Sequence, residues 1–155
     1  NAVHYEHSQI GYNYRMSNVL AGIGRGQMEV LDKHIGHRRA NHQFYQELFK
    51  DVKGITVFKE PTTDFYANYW LSSIVIDREI TGFTREYLRL ALHIENIESR
   101  PLWKPMHLQP VYKGSAYYGE KVAENLFEKG LCLPSGSNLT ENDLERIATT
   151  VKKIL

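Results

Sequence analysis

Leu20, Ile23, Leu31, Ile35, Phe44 and Leu48 recur at spacings close to multiples of three and four, the period of one helical face. Ser17 stands just ahead of them and can cap the helix by accepting a hydrogen bond from an early backbone N–H. Taken as one element, residues 18–49 would run for about 48 Å at 1.5 Å per residue. That is more than a domain of this size ordinarily wraps around a helix. The pattern predicts a helix that bridges two parts of a larger protein, with Gly36 as the place where it bends or divides and Lys33–Arg39 as a solvated face.

Beyond the helix the period changes. "ITVFKE" (Ile55–Glu60) and "NYWLSSIVID" (Asn68–Asp77) are rich in β-branched and aromatic residues and flank a Pro-Thr-Thr-Asp turn, so both predict strands. "TREYLRLALH" from Thr84 predicts a short capped helix. Asn96–Trp103 predicts an extended segment that Pro101 shortens or confines to a sheet edge. "VAENLFEK" predicts a helix and "GLCLP" a short buried strand. In the last helix Thr140 and Asp143 have the spacing of a capping box, Leu139 and Leu144 can staple it, and Leu144, Ile147, Val151 and Ile154 share a face. The expected fold class is α+β: a long N-terminal helix, then a small mixed or antiparallel sheet packed with helices.

Composition narrows the functions. The chain has 155 residues, about one domain's worth, with 42% hydrophobic and 24% charged residues. Nineteen Lys and Arg against eighteen Asp and Glu leave a net charge of +1, which suggests neither a nucleic-acid nor an anionic-membrane partner. No apolar run approaches the roughly 18 residues of a membrane span. The one cysteine, Cys132, rules out an internal disulfide, fits a reducing cytoplasm and reads as a buried strand residue. The chain begins Asn-Ala-Val-His, without an initiator Met, so a processed product or a piece of something longer is expected.

Several groups are candidates for chemistry. Gly22, Gly24 and Gly26 lack the spacing and the preceding strand of a nucleotide loop and predict close helix packing instead. The pairs His34/His37 and His4/His7 lack a zinc-site pattern, and no metal site is expected. "SQIGYNYRMSN" from Ser8 gathers Gly11 for a close approach, the Asn13 amide, the Arg15 charge and an oncoming helix N-terminus, a set suited to an anion. "ESRPLWKPMHLQPVY" (Glu98–Tyr112) strings Arg100, Trp103 and His107 on a proline-stiffened loop. There Arg100 can grip a phosphate and Trp103 can stack on a sugar or base; the alternative is a rigid surface loop with Trp103 tucked into the sheet.

"GYNYRMSNVLAGIG", "ESRPLWKPMH" and "LPSGSNLTENDLERI", in that order and at these distances, resemble the C-terminal part of the DegT-type nucleotide-sugar aminotransferases that depend on pyridoxal phosphate (PLP). Within that family they look closest to enzymes that aminate C4 of a UDP-linked 4-keto-6-deoxy-N-acetyl sugar, as in bacillosamine synthesis. The resemblance implies the aspartate-aminotransferase fold. Residues 1–16 would be an active-site segment from the end of the large domain, 17–50 a long connecting helix, and 51–155 the small C-terminal α/β domain. It implies a cytoplasmic homodimer in which Asn13 helps hold the PLP phosphate of the neighbouring subunit. Arg15, Arg100, Trp103 and His107 would contact the nucleotide-sugar, and glutamate is the expected amino donor. In the family the lysine that anchors PLP lies upstream of the Ser8–Gly24 match, and no lysine here occupies its place. No catalytic residue is therefore assigned to this chain, which alone is expected to be inactive. A stand-alone dimerisation or nucleotide-sugar-binding module is the alternative.

Overall fold

The computed structural model describes residues 12–112 and 114–155. His4, His7, Ser8 and Gly11, with the rest of segment 1–16 before Tyr12, lie outside the described residues. The chain divides into two units, the first ending at Asp32 and the second comprising Lys33–Leu155.

In the first unit α1 (Asn18–Glu29) starts where its cap predicts, with the Ser17 hydroxyl accepting from Leu20 N–H at 3.3 Å. Helical bonding breaks at Val30, and α2 (Leu31–Phe49) begins at the next residue. The division expected at Gly36 is therefore displaced to Val30, and Gly36 lies inside α2. Nothing among the described residues comes within 4 Å of a Cβ built on Gly22, Gly24 or Gly26, so the close packing expected there is not found among them. Leu20, Ile23 and Met28 are exposed.

The second unit is organised by an antiparallel four-stranded sheet in the order β1-β2-β4-β3, formed by β1 (Ile55–Val57), β2 (Ser72–Ile76), β3 (Arg100–Pro101) and β4 (Gly130–Leu133). Ile55 pairs with Ile76, Ile74 with Leu131 and Arg100 with Cys132. The strands are shorter than the sequence suggests. Before β2, Tyr69 adopts φ 46, a left-handed conformation that ends extended pairing. Pro101 cannot donate to a ladder, and β3 is accordingly a two-residue edge strand.

Helices α4 (Arg85–Ile94), α5 (Val122–Lys129) and α6 (Glu141–Lys152) follow the sequence pattern, with Thr84 and Thr140 as caps. The capping box is complete: the Thr140 hydroxyl accepts from Asp143 N–H and the Asp143 carboxylate accepts from Thr140 N–H. A one-turn helix, α3 (Arg78–Thr81), was not expected, although Asp77 as its cap and Gly82 as its left-handed stop are both visible in the sequence. One core joins Tyr45 and Phe49 of α2, Ile74 and Ile76 of β2, Leu88 and Leu92 of α4, Leu131 and Leu133 of β4, and Ile147 and Val151 of α6. Burying each such aliphatic side chain contributes about 1.5–3 kcal/mol. Cys132 is buried in β4, as the sequence suggests.

Candidate functional site

In the first unit, residues 12–17 present Tyr12, Asn13, Tyr14 and Arg15 to solvent, with the two tyrosine rings stacked at 5.9 Å. Asn13 Oδ1 accepts the Arg15 N–H at 3.1 Å, a local turn that occupies the amide's acceptor and leaves its Nδ2 hydrogens as the donating end. No carboxylate occurs from Tyr12 to Ser17. An amide donor, a guanidinium and the N-terminus of the 12-residue α1 form a donor set that suits a phosphate.

The second unit carries a cleft of about 670 Å³. Residues 96–103 form one wall and residues 133–147 the other; Arg100, Trp103, Ser135, Gly136, Asp143 and Arg146 are among the groups that line it. The 134–137 wall is fixed by α2. Tyr45 donates its hydroxyl to Pro134 O at 2.7 Å, Asn41 Nδ2 donates to Gly136 O at 2.9 Å, and His37 Nδ1 donates to Ser137 O at 2.8 Å. Arg38 donates to Ser135 O at 3.1 Å and to Trp70 O at 2.6 Å. Ser135 in turn accepts the Ser72 N–H at 2.7 Å and donates to Leu133 O at 2.8 Å, which ties the wall to β2 and β4. Burial pushes the Tyr45 phenol up, so it stays a neutral donor.

This corrects the reading of Lys33–Arg39 as a solvated face. His37 and Arg38 hold the cleft wall, and Arg39 pairs with Glu60 at 2.9 Å, donates to Ala67 O at 2.5 Å and lies over the Tyr66 ring at 4.2 Å. The Arg39 guanidinium, followed by the Ala67 N–H, holds the Glu60 carboxyl down to about 2. A signal was present in the spacing. Positions 38, 41 and 45 follow i, i+3, i+7, so hydrogen-bonding side chains recur along one face of the helix that carries the core.

Arg100 and Trp103 line the cleft together. Arg100 is exposed and paired with Glu98, its Nε donating to Oε1 at 2.7 Å. Trp103 is 66% exposed, which excludes the alternative of a tryptophan tucked into the sheet. Its ring centroid lies 6.0 Å from that of Trp70, a residue that the sequence reading assigned to a strand and gave no role. His107 is placed elsewhere. It does not line this cleft but meets Glu124 Oε1 through Nε2 at 3.0 Å and stacks on Tyr117 at 3.7 Å. Among the described residues no group of three His, Cys, Asp or Glu side chains is placed to hold a metal ion. Nor is any helix among them long and apolar enough to cross a membrane.

Nearly the whole of this chain matches known proteins in sequence and in fold. EpsN of Bacillus subtilis (strain 168), whose name describes a pyridoxal phosphate-dependent aminotransferase, is 41% identical over 150 residues, covering 94% of this chain and 38% of EpsN. GDP-perosamine synthase of Escherichia coli O157:H7 is 34% identical over 154 residues, covering 98% of this chain and 40% of that enzyme. The crystal structure of Helicobacter pylori PseC, an aminotransferase involved in pseudaminic acid biosynthesis, shares the fold with a TM-score of 0.80 at 23% identity, over 96% of this chain and 40% of PseC. The chain thus spans about 40% of the length of the relatives it matches. The model of the DegT/DnrJ/EryC1/StrS aminotransferase family matches residues 1–152, and the chain belongs to that family.

Proposed function

We propose that this chain is the C-terminal part of a PLP-dependent aminotransferase that converts the keto group of a nucleotide-linked sugar to an amine. Glutamate is the amino donor, and the enzyme is a cytoplasmic homodimer. The observation that carries this reading is the family match over residues 1–152 combined with an exposed, carboxylate-free donor set at Asn13 and Arg15. The UDP-linked 4-keto-6-deoxy-N-acetyl sugar remains the preferred substrate class. The coarser reading is supported by EpsN for a PLP-dependent aminotransferase and by GDP-perosamine synthase for an enzyme that makes a nucleotide-linked amino-sugar.

When bound, PLP supplies an electron sink that lets an amino group move between carbon atoms. Asn13 would donate from Nδ2 to a phosphate oxygen of the partner subunit's cofactor, its orientation set by the turn to Arg15 N–H. Arg15 would present its charge to the same pocket and offset the substrate's anionic groups. Arg100 and Trp103 would orient the nucleotide-sugar from the cleft wall. His107, held by Glu124 and Tyr117 outside this cleft, would contact the substrate only from a neighbouring surface, with Nε2–H donated to Glu124 and Nδ1 left as the acceptor. The lysine that forms the covalent link and moves the proton would lie upstream of these residues.

The test uses the whole enzyme. Asn13→Ala removes one hydrogen bond to a charged group, a change of about 1.5–3 kcal/mol, so PLP affinity falls by roughly 10- to 150-fold. Mixing Asn13→Ala subunits with subunits that lack the catalytic lysine then creates heterodimers with one site hit twice and one intact. About half of wild-type site activity returns at limiting PLP. Heterodimers that form and show none would overturn the role of Asn13 across the dimer.

A further inference from the structure

Trp70 and Trp103 are the only tryptophans of the sequence, and they sit side by side, Trp70 next to the cleft and Trp103 lining it, with 60% and 66% of their surfaces exposed. A tryptophan is usually buried over most of its surface, and two exposed neighbours make an apolar patch suited to a ligand. Their rings are tilted by 38° with centroids 6.0 Å apart. A third ring between them would need about twice the 3.5 Å contact distance of carbon atoms. That spacing leaves no room for a ring between them, and only their open faces are free to take one.

The placement of Trp70 is fixed with unusual stringency. The preceding residue, Tyr69, holds φ 46 without being glycine, a conformation that persists only where its surroundings enforce it. They do so here from three sides. The His42 ring stacks on Tyr69 at 3.6 Å and 6°, the Arg39 guanidinium lies 5.2 Å from its ring centroid, and its hydroxyl accepts the Glu60 N–H at 3.3 Å. Trp70 itself is bracketed, its N–H donated to Asn68 Oδ1 at 2.9 Å and its carbonyl accepting from Arg38. Side chains from α2 and from residue 68, and the backbone N–H of residue 60, thus converge on a segment that would otherwise extend, and the result is an indole turned out beside Trp103. Leu71 and Trp103 both line the cleft, so the pair stands at its edge, in the same cleft as Arg100.

We propose that Trp70 and Trp103 together form a stacking wall for the base of the nucleotide-sugar, with Trp70 as a specificity-determining residue. This rests on the nucleotide-sugar reading above and adds to it a second aromatic contact and the part of the substrate that it meets. A nucleobase fits the wall better than a sugar ring because it offers a flat π-face that lies parallel to one indole while its edge meets the other, their planes being 38° apart. Stacking of this kind is tolerant of base identity. The wall therefore supplies affinity for the nucleotide and leaves discrimination between bases to other contacts.

Isothermal titration of the whole protein with GDP, UDP and dTDP reads the wall directly. Trp70→Leu and Trp103→Leu fill the volume without offering a π-face. Each is expected to weaken nucleotide binding by roughly 5- to 150-fold, while Trp70→Phe stays within about threefold of wild type. Leucine variants that bind within twofold of wild type, or a Phe variant as weak as Leu, overturn the proposal. A second measurement needs no variant: GDP at saturation protects Trp70 and Trp103 from N-bromosuccinimide oxidation, read peptide by peptide by mass spectrometry, and equal oxidation with and without GDP overturns it. Unchanged nucleotide affinity with a lowered melting temperature in the Leu variants would assign the tryptophans to a protein interface instead. A protein that binds nucleotides through these residues yet transfers no amino group contradicts the proposed reaction and leaves the wall standing. One that transfers amino groups with the wall unused does the reverse.

Discussion

Gly54 and Gly82 form a matched pair on which the packing around β1 and β2 can be tested. Both are left-handed, at φ 84 and φ 78. Alanine at either position incurs the penalty of placing Cβ against the following carbonyl, about 1–2 kcal/mol. It also removes similar freedom from the unfolded chain, an effect of roughly 0.4–1 kcal/mol that cancels in the comparison. The surroundings differ. A Cβ on Gly82 meets nothing within 4 Å, whereas one on Gly54 would lie 2.8 Å from Ile80 Cβ and 2.8 Å from Thr81 Cγ2. Ile80 Cβ is attached directly to the backbone of α3, so no rotamer change removes the overlap. The helix cannot easily retreat either, because Asp77 N–H, at its cap, donates to Gly54 O at 2.7 Å.

Forced overpacking of this kind costs about 1–3 kcal/mol. Gly82→Ala should therefore lose about 1–2 kcal/mol and Gly54→Ala about 2–5 kcal/mol. In urea unfolding, with a slope near 2 kcal/mol/M, the two midpoints should differ by about 0.5–1.5 M, Gly54→Ala being the lower. Midpoints that coincide within about 0.2 M, or a Gly82 variant that is the weaker, would show that the contact between the residue-54 turn and α3 does not constrain the fold as described.

Two further expectations follow from the groups around α2. Tyr45→Phe removes the bond to Pro134 O without changing the core volume, so it should destabilise by about 1–2 kcal/mol in urea unfolding; a neutral result would show that the hydroxyl does not hold the cleft wall. Stability should also fall on acidification in two stages. Burial, then the nearby Arg39 charge, lowers the His42 pKa, so the unfolded chain takes up that proton first, and the stability it contributes above its usual value near 6.5 is lost as the pH falls below that value. The Glu60 carboxyl, held near 2 by Arg39, contributes fully above about 4.5 and loses its contribution between there and about 2. Urea midpoints measured from pH 8 to pH 3 check both. Glu60→Gln should flatten the lower stage, and an unchanged slope below pH 4.5 in that variant would refute the assignment.

The parts of this fold that were legible in the sequence are those set by neighbours along the chain. Ser17, Thr84 and Thr140 cap helices through bonds three residues away, and the face of α6 repeats with the helical period. The parts that were not legible depend on partners far along the chain. A polar helical stripe looks the same in sequence whether it meets water or a loop one hundred residues on, which is why His37 and Arg38 read as solvated residues in the sequence. Tyr69 looks like a strand residue, and it is the His42 ring, the Arg39 guanidinium and the Glu60 backbone that hold it in the left-handed region. The exposure of Trp70 follows from that one conformation, so its place beside Trp103 was hidden for the same reason. Val30, where α1 gives way to α2, is neither glycine nor proline, and nothing local marks it.

These two kinds of contact meet in α2. Its apolar residues Tyr45 and Phe49 are fixed by the core, and that fixes the angular position of every other residue on the helix. Arg38 lies seven positions before Tyr45, two helical turns away, so its guanidinium is placed as firmly as the core itself. One nitrogen of that guanidinium then binds the carbonyls of Trp70 and Ser135, 65 residues apart, and sets the edge of the cleft against its wall. Neither carbonyl needs side-chain specificity of its own, since the register of one core helix determines both. The geometry of the cleft is in this sense a consequence of the hydrophobic packing, transmitted through a residue whose charge alone would have placed it in solvent.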